Sequence, residues 1–240
     1  MFSRLAGGYG SVINFFDYFG LKLVELAGVA PGMRVLDVCA GRGASARPAR
    51  ALGADVVPVD LAEGMVESLR ADGFDALVMD AEQLDFADDS FDAVLCGFGI
   101  FFFPDPVRGV RQFRRVVKPG GPVACSMPLN IFPPYVMELR QEFMTRSPAP
   151  PMPGPRPDFD GAAVLRDAGF AQVETVEDAT EYSLDTAEEL WEFVLATGAR
   201  EVYDRLGPDD RAELHERVLA GCPDPPVVLP MSARFWLANG

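Results

Sequence analysis

The stretch from Met33 to Arg50, MRVLDVCAGRGASARPAR, constrains the fold of this chain more than any other. Residues 33–38 cluster apolar side chains as a buried strand of a parallel sheet does. Gly41 and Gly43 follow in a tight turn, after which a helix is expected. Glycines let backbone N–H groups approach a ligand closely, and a helix N-terminus adds partial positive charge. The stretch therefore predicts a ligand cradle at the carboxyl edge of the first strand of an open α/β sheet.

The glycine pattern alone leaves three interpretations open. Gly41-x-Gly43-x-x-Ala46 also fits the dinucleotide fingerprint of NAD(P)-dependent oxidoreductases, and a glycine turn between strand and helix can bind nothing at all. Asp37 argues against a dinucleotide, because such folds usually run an uncharged strand straight into the first glycine. A carboxylate just before the turn suits a ligand that carries an ammonium and a sulfonium group.

Three motifs resemble one known family. VLDVCAGRG resembles the first motif of class I S-adenosylmethionine (SAM) dependent methyltransferases, D-x-G-x-G-x-G, with Cys39 in place of the first glycine. MDAEQLDFADDSFDAV resembles the family run D-A-x-x-L-P-F-x-D-x-S-F-D-x-V, and RVVKPGG resembles the turn into its fifth strand. The resemblance covers residues 33–127 and is to the type 11 small-molecule methyltransferases of quinone biosynthesis and secondary metabolism. It implies SAM as the cofactor and S-adenosylhomocysteine as the product.

Carboxylates at two further strand ends complete the expected cofactor site. Asp60 follows the glycine turn by roughly twenty residues, so that it can accept both ribose hydroxyls; a helix N-cap is the alternative, and both roles are compatible. The resemblance implies that Asp80 and the backbone N–H of Ala81 bind the adenine edge, and that Leu61 and Met65 flank the adenine. The other expected cofactor-binding residues lie in the glycine turn and past the fourth strand: Cys39, Ala40, Gly41, Gly43, Cys96, Gly97 and Phe98.

Aromatic residues and glycines fill the N-terminal segment, which has two interpretations. One is a helix packed on the sheet, with a break at Gly20. The other is a lid, residues 2–19, that closes over the bound cofactor. The lid interpretation places Tyr9 near the sulfonium or carboxylate end of SAM, and Phe16 and Phe19 on the acceptor side.

Together the motifs predict an α/β fold, a Rossmann-like, doubly wound seven-stranded sheet with one antiparallel edge strand, an N-terminal lid and a helical cap. A single methyltransferase domain is expected over residues 1–240. Its expected parts are lid helices at 1–30, a SAM-binding core at 31–127, a cap insertion at 128–160, and C-terminal strands at 161–240 with a helical insertion at 185–220.

Composition disfavours several classes of partner. With Lys+Arg 21 against Asp+Glu 36, the net charge of −15 disfavours nucleic acid and anionic membranes. Four scattered cysteines and one histidine suggest neither a metal site nor a disulfide framework, and a reducing cytoplasm is expected. No stretch approaches the ~20 apolar residues of a membrane span, so no stable membrane insertion is expected. The oligomeric state stays open, with a homodimer as one option.

Methyl transfer by in-line displacement needs mainly alignment and exclusion of water. His215, the sole histidine, lies in a charged helix and is not expected to act as a base. Three ways of activating the acceptor remain open: an acceptor that is itself acidic, a carboxylate base such as Glu138 or Glu142, or proximity alone. No catalytic residue is therefore assigned.

The abundant apolar side chains favour a mainly apolar small-molecule acceptor, such as a quinone precursor or a polyketide-like metabolite, methylated on oxygen or carbon more readily than on nitrogen. A SAM-type scaffold can also act as a non-methylating cyclase or a binding module, because function does not follow from fold. The expected substrate-binding residues are Phe16, Phe19, Phe101, Phe102, Tyr135, Trp191 and Phe235.

Overall fold

The computed structural model describes residues 15–146, 158–197 and 200–240. Tyr9 and most of the expected lid lie outside the described residues. The strands are β1 (Arg34–Val38), β2 (Asp55–Asp60), β3 (Leu77–Val78), β4 (Ala93–Cys96), β5 (Pro122–Asn130), β6 (Val173–Leu184) and β7 (Val227–Asn239). The helices are α1 (Phe15–Leu26), α2 (Ala46–Ala51), α3 (Glu63–Ala71), α4 (Pro106–Val116), α5 (Pro134–Arg146), α6 (Gly161–Asp167), α7 (Ala187–Leu195), α8 (Arg200–Arg205) and α9 (Pro208–Ala220), with a 3-10 turn at Ile100–Phe102.

All seven strands form one sheet in the order β3-β2-β1-β4-β5-β7-β6. The first five strands run parallel to one another, whereas β7 runs antiparallel to both β5 and β6. This confirms the predicted doubly wound sheet, and the reversed strand lies next to the edge. The chain leaves β1 toward β2 and returns on the other side at β4. Between β1 and β4 lies the point at which open α/β sheets bind their ligands.

Helices bury both faces of the sheet, as a mainly parallel sheet requires. On one face α1, α2, α3 and α7 pack around residues such as Phe19, Leu23 and Phe193. On the other face α4 and α6 bury Phe113 and Leu165 against the strands. Helices α5, α7, α8 and α9 form the cap, which has its own apolar cluster. In the described part of the chain no helix has the length and apolar character of a bilayer span.

The β6–β7 hairpin is much longer than the sequence predicts. Within 161–240 the sequence predicts strands near 172–176 and 234–238, but the pairing continues from Val173↔Ala238 to Leu184↔Val227. The distal end of the hairpin is buried under α7, where Leu184 and Val227 join the main core. The hairpin therefore carries the cap as well as closing the sheet.

Helix α1 runs through Gly20 without interruption, so the predicted break is wrong. A Cβ atom at Gly20 would lie 2.3 Å from the carbonyl oxygen of Ala44, in the loop after β1. Glycine is therefore required for close packing of two backbones rather than for a turn. This contact places α1 against the glycine loop, at the ligand-binding edge of the sheet.

Candidate functional site

The loop after β1 forms the floor of the site. Gly41 and Gly43 adopt φ values of +53° and +84°, and Cys39 adopts φ +56°, in the place where the family motif has its first glycine. Non-glycine residues adopt this left-handed region at a cost of roughly 1–2 kcal/mol. Tertiary contacts must therefore hold the loop in place.

Asp60 supplies such contacts from the end of β2. Its carboxylate accepts hydrogen bonds from the backbone N–H of Gly41 and of Ala62, each at 2.8 Å. Burial raises the pKa of Asp60, whereas these backbone donors lower it. The N-cap residue of α3 is Ala62, so the alternative role of Asp60 as the N-cap is wrong. Asp60 instead ties the glycine loop to β2.

Asp37 is a buried carboxylate with an unused oxygen. The backbone N–H of Ala46 donates to it, but its Oδ2 atom has no hydrogen-bond partner among the described residues. Burial and the nearby charge of Asp60 raise the pKa of Asp37 to about 8. The group is therefore largely protonated at neutral pH, and a cationic ligand nearby would favour its ionised form.

A cavity of about 810 Å³ opens at this edge of the sheet. It brings together carboxylates from the ends of three neighbouring strands, Asp37 at β1, Asp60 at β2 and Asp80 just past β3. The Asp80 carboxylate also accepts from the backbone N–H of Glu82 at 2.9 Å. The lining contains most of the residues that the sequence predicts: Phe16, Phe19, Asp37, Cys39, Ala40, Gly41, Asp60, Leu61, Met65, Asp80, Ala81, Gly97, Phe98 and Phe102.

Two predicted cofactor-binding residues support the cavity without lining it. A Cβ atom at Gly43 would lie 2.9 Å from Leu69 Cδ2, so this glycine allows α3 to pack on the loop. Cys96 is fully buried behind Cys39. The neighbouring Cys125 thiol and burial raise its pKa.

Four predicted substrate-binding residues do not line this cavity. Phe101 packs in the core on the α4 side, and Phe235 is fully buried with its ring 6.3 Å from that of Phe19. The Tyr135 hydroxyl donates to the carbonyl of Val218 at 2.9 Å. Trp191 belongs to the apolar cluster of the cap. The hydrophobicity of a side chain does not tell a pocket wall from a core, so contact of these four residues with a substrate stays a prediction.

The candidate bases of the cap also lie away from the cavity. Arg217 and Arg146 bind the Glu142 carboxylate and lower its pKa to about 2, so it is a poor proton acceptor. Glu138 is exposed on the same helix. His215 packs against Trp191 with ring centroids 4.8 Å apart and lies 3.3 Å from Glu188. None of the three is part of the described lining.

The structure adds lining residues that sequence reasoning missed, among them Asp17, Glu82 and Ser126. Glu82 accepts from the backbone N–H of Asp105 at 2.8 Å and so fixes the start of α4. Its place directly after the Asp80-Ala81 pair could have indicated it. Ser126 has no comparable signal, because only the pairing of β4 with β5 brings it to the cavity.

Residues 36–125 match a family model described as methyltransferase domain. A demethylmenaquinone methyltransferase of Renibacterium salmoninarum is 38% identical over 53% of this chain and 55% of its own length. The chain thus spans about half the length of this curated relative. The family match over residues 36–125 and the fold confirm the resemblance to class I SAM-dependent methyltransferases.

Solved structures share the fold at lower identity. The [4+2]-cyclase SpnF is 21% identical, with a TM-score of 0.58 over 93% of this chain and 80% of its own. Phosphoethanolamine N-methyltransferase 2 of Haemonchus contortus, in complex with S-adenosyl-L-methionine, is 20% identical, with a TM-score of 0.56 over 92% of this chain and 52% of its own. At these identities the likeness establishes the fold alone.

Proposed function

We propose that this protein is a SAM-dependent methyltransferase that methylates an oxygen or carbon atom of an apolar small molecule, such as a quinone precursor. The observation that carries the proposal is the row of carboxylates, Asp37, Asp60 and Asp80, at neighbouring strand ends in one cavity. SAM carries two cationic groups, an ammonium and a sulfonium, and its ammonium and two ribose hydroxyls donate hydrogen bonds that carboxylates accept.

Each carboxylate has a distinct proposed partner. The unused Asp37 oxygen would accept the ammonium of SAM, and this contact would favour the ionised carboxylate. Asp60 already accepts two backbone N–H groups, but each carboxylate oxygen has a second lone pair for a ribose hydroxyl. Asp80 and the backbone of Ala81 would hold the adenine edge. Bound SAM would supply an activated methyl group on a sulfonium leaving group.

The side of the cavity nearer β4 and β5 suits an apolar acceptor. Phe16, Phe19 and Phe98 lie on it, with ring centroids of Phe16 and Phe19 6.1 and 5.7 Å from that of Phe98. Aromatic faces attract a cationic sulfonium and exclude water from the reacting atoms. The candidate bases of the cap lie elsewhere, so we propose that alignment and an acidic hydroxyl or enol of the acceptor replace a dedicated base.

Quinone precursors are proposed because the relative named above is a demethylmenaquinone methyltransferase. The test is incubation of the protein with methyl-deuterated SAM and 1,4-dihydroxynaphthalene, followed by mass spectrometry. The proposal expects an acceptor product that carries the deuterated methyl group, together with S-adenosylhomocysteine. An acceptor recovered unchanged by a protein that retains bound SAM would contradict methyl transfer to this class of acceptor.

A non-methylating cyclase is the second candidate. It is favoured by the aromatic wall and by the absence of a histidine from the described lining of the cavity. The mass of the product separates the two functions, because cyclisation leaves the mass of the substrate unchanged whereas transfer adds one methyl in place of a hydrogen.

A further inference from the structure

Ser126 places a hydroxyl group in the cavity wall at the exit of β4. The last pair between β4 and β5 is Cys96↔Cys125, so Ser126 stands level with Gly97. On its other side it pairs with Phe235 of β7, and its side chain is 1% exposed. Strand side chains alternate between faces, and Ala124, Ser126 and Phe235 therefore share the face on which α1 packs. The hydroxyl reaches the cavity from beneath α1.

The hydrogen bonds of Ser126 leave its proton available. Its Oγ atom accepts from the backbone N–H of Phe98 at 3.2 Å, at a residue with φ +52°. A serine hydroxyl also has one proton to donate. In residues 15–146, 158–197 and 200–240 no hydrogen bond from this hydroxyl to an acceptor is formed. The cavity is therefore where that proton can find a partner.

The surroundings of Ser126 are aromatic rather than charged. Phe16, Phe19 and Phe98 line the same part of the cavity, whereas Asp37 and Asp60 lie at the ends of β1 and β2. A neutral O–H donor among aromatic rings suits a flat, apolar molecule that carries an oxygen atom. The preferred partner is a carbonyl, phenol or phenolate oxygen.

We infer that Ser126 donates a hydrogen bond to an oxygen atom attached to the aromatic ring of the acceptor, and that this bond orients the acceptor toward the methyl donor. The inference rests on the proposed function, because it assigns the cofactor to the ends of β1–β3 and the acceptor to the aromatic side. It adds a specificity determinant, selection of oxygen-bearing aromatic molecules over hydrocarbons of the same shape.

The test compares two probes of nearly equal shape, 1-naphthol and naphthalene. Their dissociation constants are measured by fluorescence titration of the protein loaded with S-adenosylhomocysteine. Ser126→Ala should weaken the binding of 1-naphthol about fivefold and the binding of naphthalene less than twofold, since only the naphthol loses a hydrogen bond. Ser126→Thr, which keeps the hydroxyl, should retain the preference for 1-naphthol. Ser232→Ala removes a hydroxyl of the same sheet, on β7 and outside the cavity lining, and should leave both constants unchanged.

A second role for Ser126 is support of the Phe98 turn, and the design separates it from acceptor binding. If Ser126 only supports the turn, its replacement would change the dissociation constants of both probes by the same factor. Such equal changes would overturn the inference. Ser126→Cys gives the same comparison if the alanine variant does not fold, because a thiol fills the space and donates weakly. Binding of S-adenosylhomocysteine should be the same in all variants. Failure of the wild type to bind it would overturn the proposed function, and the inference with it, whereas normal binding without the naphthol preference would overturn the inference alone.

Discussion

Replacing Asp37 by asparagine should remove a proton release that accompanies cofactor binding. The pKa of Asp37 is raised to about 8 by burial and by Asp60. At pH 7 such a carboxyl group is about nine-tenths protonated. If the ammonium of S-adenosylhomocysteine binds the ionised carboxylate, binding must release close to one proton. Between pH 5.5 and 7 the dissociation constant should therefore fall about tenfold per pH unit.

Calorimetric titration in buffers of different ionisation enthalpy measures this proton directly. Asp37→Asn should abolish both the release and the pH slope, whereas Asp55→Asn, at a side chain that is 76% exposed, should change neither. A wild-type protein that binds S-adenosylhomocysteine with no proton release and with a flat pH profile would refute the assignment of the ammonium to Asp37.

The same carboxyl group also affects the stability of the free protein. Its folded pKa of about 8 lies above the ordinary value of 3.8, so the folded state holds more protons than the unfolded state between these values. The free energy of unfolding should fall as pH rises through this window, by up to about 1.4 kcal/mol per pH unit. Urea unfolding at several pH values should show this contribution in the difference between wild type and Asp37→Asn, and parallel curves would contradict it.

Three further predictions follow from contacts around the site and in the cap. Asp60→Ala should weaken the binding of S-adenosylhomocysteine by about 1–3 kcal/mol, because the glycine loop and the ribose lose their hydrogen-bond acceptor. An unchanged affinity in a calorimetric titration would exclude the ribose role. Gly20→Ala should destabilise the protein by about 1–3 kcal/mol despite the better helix propensity of alanine, since its Cβ would lie 2.3 Å from the carbonyl oxygen of Ala44. Gly207→Ala, where a Cβ meets nothing within 4 Å, is the matched control, and equal effects in urea unfolding would contradict the packing argument. The pKa of Glu142 is lowered to about 2 by its arginine partners, so its stabilising effect is present above the ordinary value of 4.5 and is lost as pH falls toward 2. Between pH 6 and pH 3 the melting temperature of Glu142→Gln should therefore fall less than that of the wild type. Identical falls would show that the ion pairs contribute nothing to stability.

Local motifs carried the successful predictions. The strand, the glycine turn and Asp37 lie within one short stretch, so they can be interpreted without knowledge of the rest of the fold. Asp60 and Asp80 follow because parallel strands end at the same edge of a sheet, which turns sequence order into spatial proximity. Most of the predicted cofactor residues accordingly line one cavity.

Sequence reasoning failed, or left a choice open, where contacts between residues distant in the chain determine the structure. Gly20 reads as a helix break, yet its lack of a side chain serves the contact with the loop at Ala44. Tyr135 and Trp191 read equally well as pocket or core, and only the packing of the cap assigns them to its interior. Ser126 reaches the cavity only through the register of β5 against β4, which sequence cannot supply.

The length of the β6–β7 hairpin was also hidden from sequence. Strand β6 is an edge strand, and charged residues such as Glu174 and Glu177 alternate with half-buried ones along it. Edge strands expose much of their surface, so the apolar signal that predicts a strand is weak there. The pairing with β7, rather than the hydrophobicity of β6, determines where the strand ends.

The most direct test of the central claim is calorimetric titration of the purified protein with S-adenosylhomocysteine and, separately, with NAD. The carboxylate row at the ends of β1, β2 and β3 predicts binding of S-adenosylhomocysteine in the micromolar range and no binding of NAD. Binding of NAD without binding of S-adenosylhomocysteine would contradict the claim and restore the dinucleotide interpretation of the glycine turn.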